Sequence, residues 1–186
     1  MWVFKASGVI LKIHKWRDGH LLYTIFSDAY GKIMCSKKYS KTEKTVDIGY
    51  LTNFEIITKN ESNIHSIRNI KIISELSFND KSFVELNSYL ELIALILTTT
   101  APWVENREIF SLIPNIHKIQ NKDNIACKII LAQLKHIDIS WSLDITHTDP
   151  TVQKILWFIH RSNIQDILRL WWISHEIESL LKNHIK

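Results

Sequence analysis

His20-Leu21-Leu22-Tyr23-Thr24-Ile25-Phe26-Ser27-Asp28-Ala29-Tyr30-Gly31-Lys32-Ile33 is the stretch on which the fold turns. Leu21, Tyr23 and Ile25 alternate onto one side of an extended chain, because side chains two apart on a strand share a face. Leu22 and Phe26 point the other way, which predicts a strand over 20–27 buried on both faces. Asp28-Ala29-Tyr30-Gly31 then turns the chain, and a strand over 32–37 forms the second arm of a hairpin.

The same reading extends in both directions. Residues 3–15 are rich in branched side chains, with Val9, Leu11 and Ile13 on one face and Lys12 and His14 on the other. Trp16-Arg17-Asp18-Gly19 is a turn signal. The run Lys37-Lys38-Tyr39-Ser40-Lys41-Thr42-Glu43-Lys44 has no apolar period and predicts an exposed loop. Strands follow over 46–58 and 64–74, on either side of the polar turn Asn60-Glu61-Ser62-Asn63. Five short strands with a long loop after the third predict a small closed barrel of the OB-fold type, with an open sandwich as the alternative.

After Ser77 the period changes. Leu86, Leu90, Ile93 and Leu97 recur at helical spacing behind Asp80 as N-cap, and Thr98-Thr99-Thr100-Ala101-Pro102 breaks the helix. A short helix over 105–113 is expected to stop before Pro114. Asp123 caps a third helix carrying Ile125, Ile129 and Ala132, and residues 138–148 read as irregular. Asp149-Pro150 starts a helix over 151–160. Ser162 and Gln165 match a capping box that opens a final helix running to near the C-terminus. The expected fold is α+β: an OB-fold nucleic-acid-binding domain over 1–76, then an all-helical domain over 77–186.

Composition narrows the class. Of 186 residues, 46% are apolar and 23% charged, with only 4 Gly and 3 Pro, which argues for folded domains without long flexible linkers. Residues 1–75 hold 12 Lys/Arg against 7 Asp/Glu, and residues 76–186 hold 11 against 12. All the excess positive charge therefore lies in the first part, as a polyanion-binding face there would require. Cys35 and Cys127 have neither disulfide-framework nor zinc spacing. No secretory leader and no apolar run of membrane-spanning length is present, so a cytoplasmic protein away from membranes is expected.

No Gly-rich phosphate loop, nucleophile elbow or zinc-protease motif occurs, and the nine histidines are scattered singly. His117 and His136 read as surface or boundary residues, and Trp157 as core. The expectation is no enzyme, no cofactor and no metal. The stronger signal is basic: Lys32, Lys37, Lys38, Lys41 and Lys44 fall within 13 residues holding one acid, Glu43. Flexible ammonium groups suit phosphate contact, and Tyr39 within the run suits stacking on a base. Lys12, His14, Lys15 and Arg17 lie on or just after the first strand. Arg68 and Lys71 lie on the fifth, on opposite faces unless a bulge intervenes. Trp171 and Trp172 diverge by about 100° around a helix. Either the final helix is central in its bundle, or the two tryptophans belong to a partner-docking surface.

In order and pattern the chain resembles the RecO family of bacterial recombination mediators. The resemblance is carried by Gly8-Val9-Ile10-Leu11-Lys12, by the hairpin over 20–33 with its Gly31-Lys32, by the basic run over 37–44, and by Asn53-Phe54-Glu55-Ile56. It continues through Ser74-Glu75 and the helix over 83–97 to Glu108-Ile109-Phe110-Ser111-Leu112-Ile113. It covers roughly residues 3–137. The four-cysteine zinc site of some members cannot be built from two cysteines. The resemblance implies binding of single- and double-stranded DNA and annealing of complementary strands. It also implies loading of the RecA recombinase together with RecR and, in some lineages, RecF, and contact with the acidic tail of single-stranded DNA-binding protein. By analogy DNA lies on Lys12, Lys15, Arg17, Lys37, Lys38, Tyr39, Lys41 and Lys44. The competing readings are a protein-interaction module and an RNA-binding OB protein.

Overall fold

The computed structural model describes residues 2–40, 46–58, 63–75, 82–119, 125–170 and 173–185. The fold is α+β. Five strands, β1 (Trp2–Lys15), β2 (His20–Ser27), β3 (Gly31–Lys38), β4 (Leu51–Thr58) and β5 (Ile64–Ser74), come first. Among the described residues they are followed by α1 (Phe83–Thr99), α2 (Arg107–His117), α3 (Ile125–Trp141), α4 (Pro150–Arg161), α5 (Ile164–Leu168) and α6 (His175–Lys182). The chain forms two compact units. The first is Met1–Leu76 with Ile96–Pro114; the second is Ser77–Leu95 with Asn115–Lys186.

In the first unit the sheet closes into a ring in the order β1-β2-β3-β5-β4. β1 is long because it serves two partners: Trp2–Val9 pairs with β4 and Gly8–Lys15 with β2, both antiparallel. The changeover falls at Gly8, where an added Cβ would stand 2.4 Å from Ile25 Cγ2 and 2.8 Å from Phe54 Cε1. Only glycine lets the strand pass so close to the core. The ring is completed by a short parallel pairing of β3 with β5, at Met34–Ile64 to Ser36–Ser66, and by β5 against β4. Ile10, Tyr23, Ile25, Ile33, Cys35, Phe54, Ile56 and Ile67 fill the interior.

The strand reading needs two corrections. Val9, Leu11 and Ile13 do not share the core face, because the pairing slips between Ile10 and Lys12. Leu11 is the extra residue of a bulge, so the core-facing pair is Ile10 and Ile13. β4 begins at Leu51 rather than at 46, since Gly49 has φ 83° and Tyr50 N–H donates to the Asp47 carbonyl, forming a turn there.

The segment Ile96–Pro114 seals one side of the ring. Gly31, at φ 63°, lies against the Val104 backbone; an added Cβ would sit 2.1 Å from the Val104 carbonyl oxygen. Lys32 Nζ donates to the Leu97 carbonyl at 2.7 Å, at the C-terminal end of α1, where carbonyls lack helical partners and the dipole favours a cation. Burial lowers its pKa. Trp103 N–H donates to the Lys32 carbonyl, and the Trp103 ring meets the buried His65 edge-on at 5.0 Å. Phe26 packs against Phe110 at 6.4 Å, which is why β2 is covered on both faces.

In the second unit α3 to α6 enclose Leu131, Leu134, Val152, Leu156, Ile159, Ile167 and Leu181. α1 starts at Phe83, where Ser82 and Glu85 cap each other's backbone amides; Asp80 and Asp123 lie outside the described residues. α2 does not stop before Pro114. It runs one turn further, because Ile116 is fully buried and the His117 ring bonds Tyr89 Oη at 2.7 Å. Residues 138–141 are helical rather than irregular. α3 ends at Trp141, beyond which Ser142 is left-handed at φ 73°. Asp149 caps α4 through the Thr151 and Val152 amides.

The final helix is two helices. Asn163, not Ser162, caps α5 by accepting from the Asp166 amide, and Ser174 caps α6 by accepting from the Ile177 amide. His136 is fully buried, contrary to a surface or boundary reading, whereas His117 is half-buried, a boundary position. Trp157 is 39% exposed, with the Arg161 guanidinium 4.9 Å above its ring, and so is not core.

Candidate nucleic-acid interface

Strand polarity sets up the site. The five strands carry eight cations, Lys5, Lys12, Lys15, Lys32, Lys37, Lys38, Arg68 and Lys71, and one carboxylate, Glu55. The adjoining strands β1, β2 and β3 hold none of the acid. Of the eight, Lys32 is committed to the Leu97 carbonyl and so is not a phosphate ligand.

The pairing register sorts the expected residues. Lys15 pairs with Leu21, which pairs with Lys37, so these three form one row. Leu21 packs against the interior, so Lys15 and Lys37 stand on the core-facing side at the end of the ring. Lys12 has the opposite orientation. It lies in the row with Thr24 and Met34, next to the row of His14, Leu22 and Ser36; Lys38, opposite His20, continues this outer face. The cations thus occupy the rim and outer face of one three-stranded corner instead of a single plane.

Arg17 lies in the short 3-10 turn Arg17–Gly19 that joins β1 to β2. Tyr39 N–H donates to the Gly19 carbonyl at 2.8 Å, which brings Tyr39, a residue 54% exposed, beside this turn. Lys12, Lys15, Arg17 and Lys38 are exposed and make no ion pair among the described residues. Lys41 and Lys44, and the docking candidates Trp171 and Trp172, lie outside the described residues.

Arg68 and Lys71 are brought onto one face by a bulge that parity alone left open. Asn53 pairs with Lys71 and Glu55 with Arg68, so the one residue between them on β4, Phe54, faces two on β5, Asn69 and Ile70, and Asn69 takes the left-handed φ of 55°. Arg68 Nε donates to Glu55 Oε2 at 2.8 Å and Asn69 Nδ2 to the same oxygen at 3.0 Å, which lowers the Glu55 pKa. Lys5, opposite Glu55, was not singled out by the sequence; its only signal is its place on β1.

Both thiols are buried, which pushes Cys35 up to about 12 and Cys127 to about 11, far from nucleophilic use. Among the described residues no three His, Cys, Asp or Glu side chains are grouped to hold a metal, and no helix is long and apolar enough to cross a membrane.

The described chain thus has a ring of five strands with a carboxylate-poor, cation-bearing corner, followed by helices. No protein-family model matches the chain. It is similar to the DNA repair protein RecO of Mycoplasma capricolum subsp. capricolum, at 26% identity over 67% of this chain and 53% of that protein. The chain therefore spans about half the length of the curated relative it matches.

Proposed function

We propose that this protein is a DNA-binding recombination mediator of RecO type. In this reading the strand ring is an OB-fold that holds DNA, and the helices form a partner-binding domain. The observation that carries it is the strand chemistry: seven cations besides Lys32 against one carboxylate, on a closed ring. The strand order and the parallel β3–β5 closure support the OB-fold, and the similarity to a DNA repair protein supports the choice of DNA.

The mechanism is non-covalent and the protein is not an enzyme. Ammonium groups on Lys12, Lys15, Lys37 and Lys38, with Arg17 and with Lys41 and Lys44, screen phosphate repulsion so that complementary strands can meet. Tyr39 stacks on a base. Annealing and loading of the RecA recombinase proceed with RecR in the cytoplasm. RecF and the acidic tail of single-stranded DNA-binding protein are further partners, and Trp171 and Trp172 are the candidate partner-binding residues.

The test is fluorescence anisotropy of a labelled single DNA strand across a salt series. It compares the native protein with a variant carrying Lys12→Ala, Lys15→Ala, Lys37→Ala and Lys38→Ala. Each phosphate of a single strand that is no longer neutralised lowers the slope of log affinity against log salt by about 0.7, so four should remove about 3. Salt-independent binding, or none by the native protein, overturns the reading in favour of a protein-interaction module. Preference for RNA of the same sequence would move the function to RNA handling.

A further inference from the structure

A groove of about 670 Å³ lies on β1, β4 and β5, away from the corner described above. Its walls come from Lys5 and Ser7, Asn53 and Glu55, and Asn69 and Lys71. Register places these residues in two rows across three strands: Lys5, Glu55 and Arg68, then Ser7, Asn53 and Lys71. Ala6, Phe54 and Ile56 alternate with them and face the core, so the rows belong to the outer surface.

Two bulges prepare this surface. The one at Asn69 puts Lys71 on the same side as Arg68. The one at Leu11 does the same for β1. In a regular strand Lys12 would share the face of Ala6 and Ile10, but the extra residue turns it outward, onto the face of Lys5 and Ser7. Bulges re-aim side chains in this way next to functional surfaces. Lys5 and Lys12 are seven residues apart, about 23 Å along the strand at about 3.3 Å per residue. That length lies within the reach of the roughly 4–16 nucleotides one OB-fold covers.

The two carboxylates at the groove have partners already. Glu55 accepts from Arg68 and Asn69, and Asp28 Oδ1 accepts from the Ser7 amide at 3.2 Å and from Ser27 Oγ at 3.3 Å. Ser7 Oγ donates to Asn53 Oδ1 at 2.7 Å, which leaves the Asn53 amide nitrogen as a donor. Lys71 is exposed and makes no ion pair among the described residues.

We infer that the groove is the second half of one nucleic-acid track. A single strand held at Lys12 and Lys38 continues along the outer face of β1 into the groove, where Lys5 and Lys71 each take a phosphate. This rests on the nucleic-acid reading above and adds to it where a long strand goes. Short strands are held by the β1–β2–β3 corner alone, and only longer ones reach the groove.

The experiment titrates the full chain with labelled oligothymidylates of about 6 and about 18 nucleotides, a range set by the site sizes above, across a salt series. The native protein is compared with Lys5→Ala/Lys71→Ala and with Lys5→Gln/Lys71→Gln, which keeps the side-chain length. Both variants should hold the short strand within about twofold of native. For the long strand they should lose about tenfold in affinity at low salt, with the salt slope smaller by about 1.4, two phosphates at about 0.7 each. Native affinity and slope for the long strand in either variant overturn the track and leave the proposed function standing. Failure of the native protein to bind either strand overturns both.

Discussion

The strand unit and the helical unit put their charges to opposite uses. In the strand unit Lys12, Lys15, Lys38 and Lys71 stand at the surface, and the Arg68–Glu55 pair, with Arg68 53% exposed, is loosely solvated. In the helical unit Lys135 and Asp138 are each 7% exposed and 3.0 Å apart. Lys135 Nζ also donates to the Ile159 and His160 carbonyls at the C-terminal end of α4, and Asp138 Oδ1 meets His160 Nδ1 at 2.7 Å. One network thus ties α3 to α4. The lesson is a division of labour: exposed cations contribute little to folding and stay available to a ligand, whereas buried ones hold helices in register.

The comparison breaks most readily at Lys135. Lys135→Met removes the ammonium partner of the buried Asp138 carboxylate, which keeps only its contact with His160, and leaves α4 carbonyls unfilled. Urea unfolding should register a loss of about 3–5 kcal/mol, as when one partner of a buried pair is removed. A loss within the range of surface pairs would erase the distinction between the units.

Acid sharpens the same contrast. Burial holds His136 and His117 at a pKa of about 4 in the folded chain, against about 6.5 when unfolded. The unfolded chain therefore binds more protons below pH 6.5. Stability is level above that pH, falls as pH drops from 6.5 towards 4, and has lost this contribution below it. For His136 alone the loss at pH 5 is about 2 kcal/mol, read as a lower urea midpoint than at pH 7. His136→Gln should flatten that difference.

The smallest effect belongs to the strand unit. Glu55→Gln breaks an exposed pair and should leave the thermal midpoint unchanged. A clear drop would mean that the outer face of the ring is built into the fold and is not held ready for a ligand.

The ring was legible because alternation is a local signal: Leu21, Tyr23 and Ile25 declare a face within six residues. Bulges are less so. Nothing around Leu11 or Asn69 marks an extra residue, and each reverses the parity of the cations beyond it. Helix ends failed where distant partners overrode local chemistry. Pro114 should have ended α2, but the Tyr89–His117 bond and buried Ile116 carry the helix past it. Asp138 looked like the start of an irregular stretch, yet its bonds to Lys135 and His160 keep it helical. Of the site, the residue types and their clustering were readable; their division between rim and outer face depends on register, which the sequence does not state.

The seal over Gly31 also has a consequence for the order of events during synthesis. The strand unit takes in Ile96–Pro114, which follows its last strand by a wide margin. When Leu76 has been made, all five strands exist but the Val104 carbonyl, the Leu97 carbonyl and the Phe110 ring do not. The 38 residues from Leu76 to Pro114 take about 2–8 s to add at about 5–20 residues per second. For that interval Phe26 and the Gly31 turn lack the groups that cover them in the finished fold, so those last contacts wait on translation rather than on the speed of strand pairing.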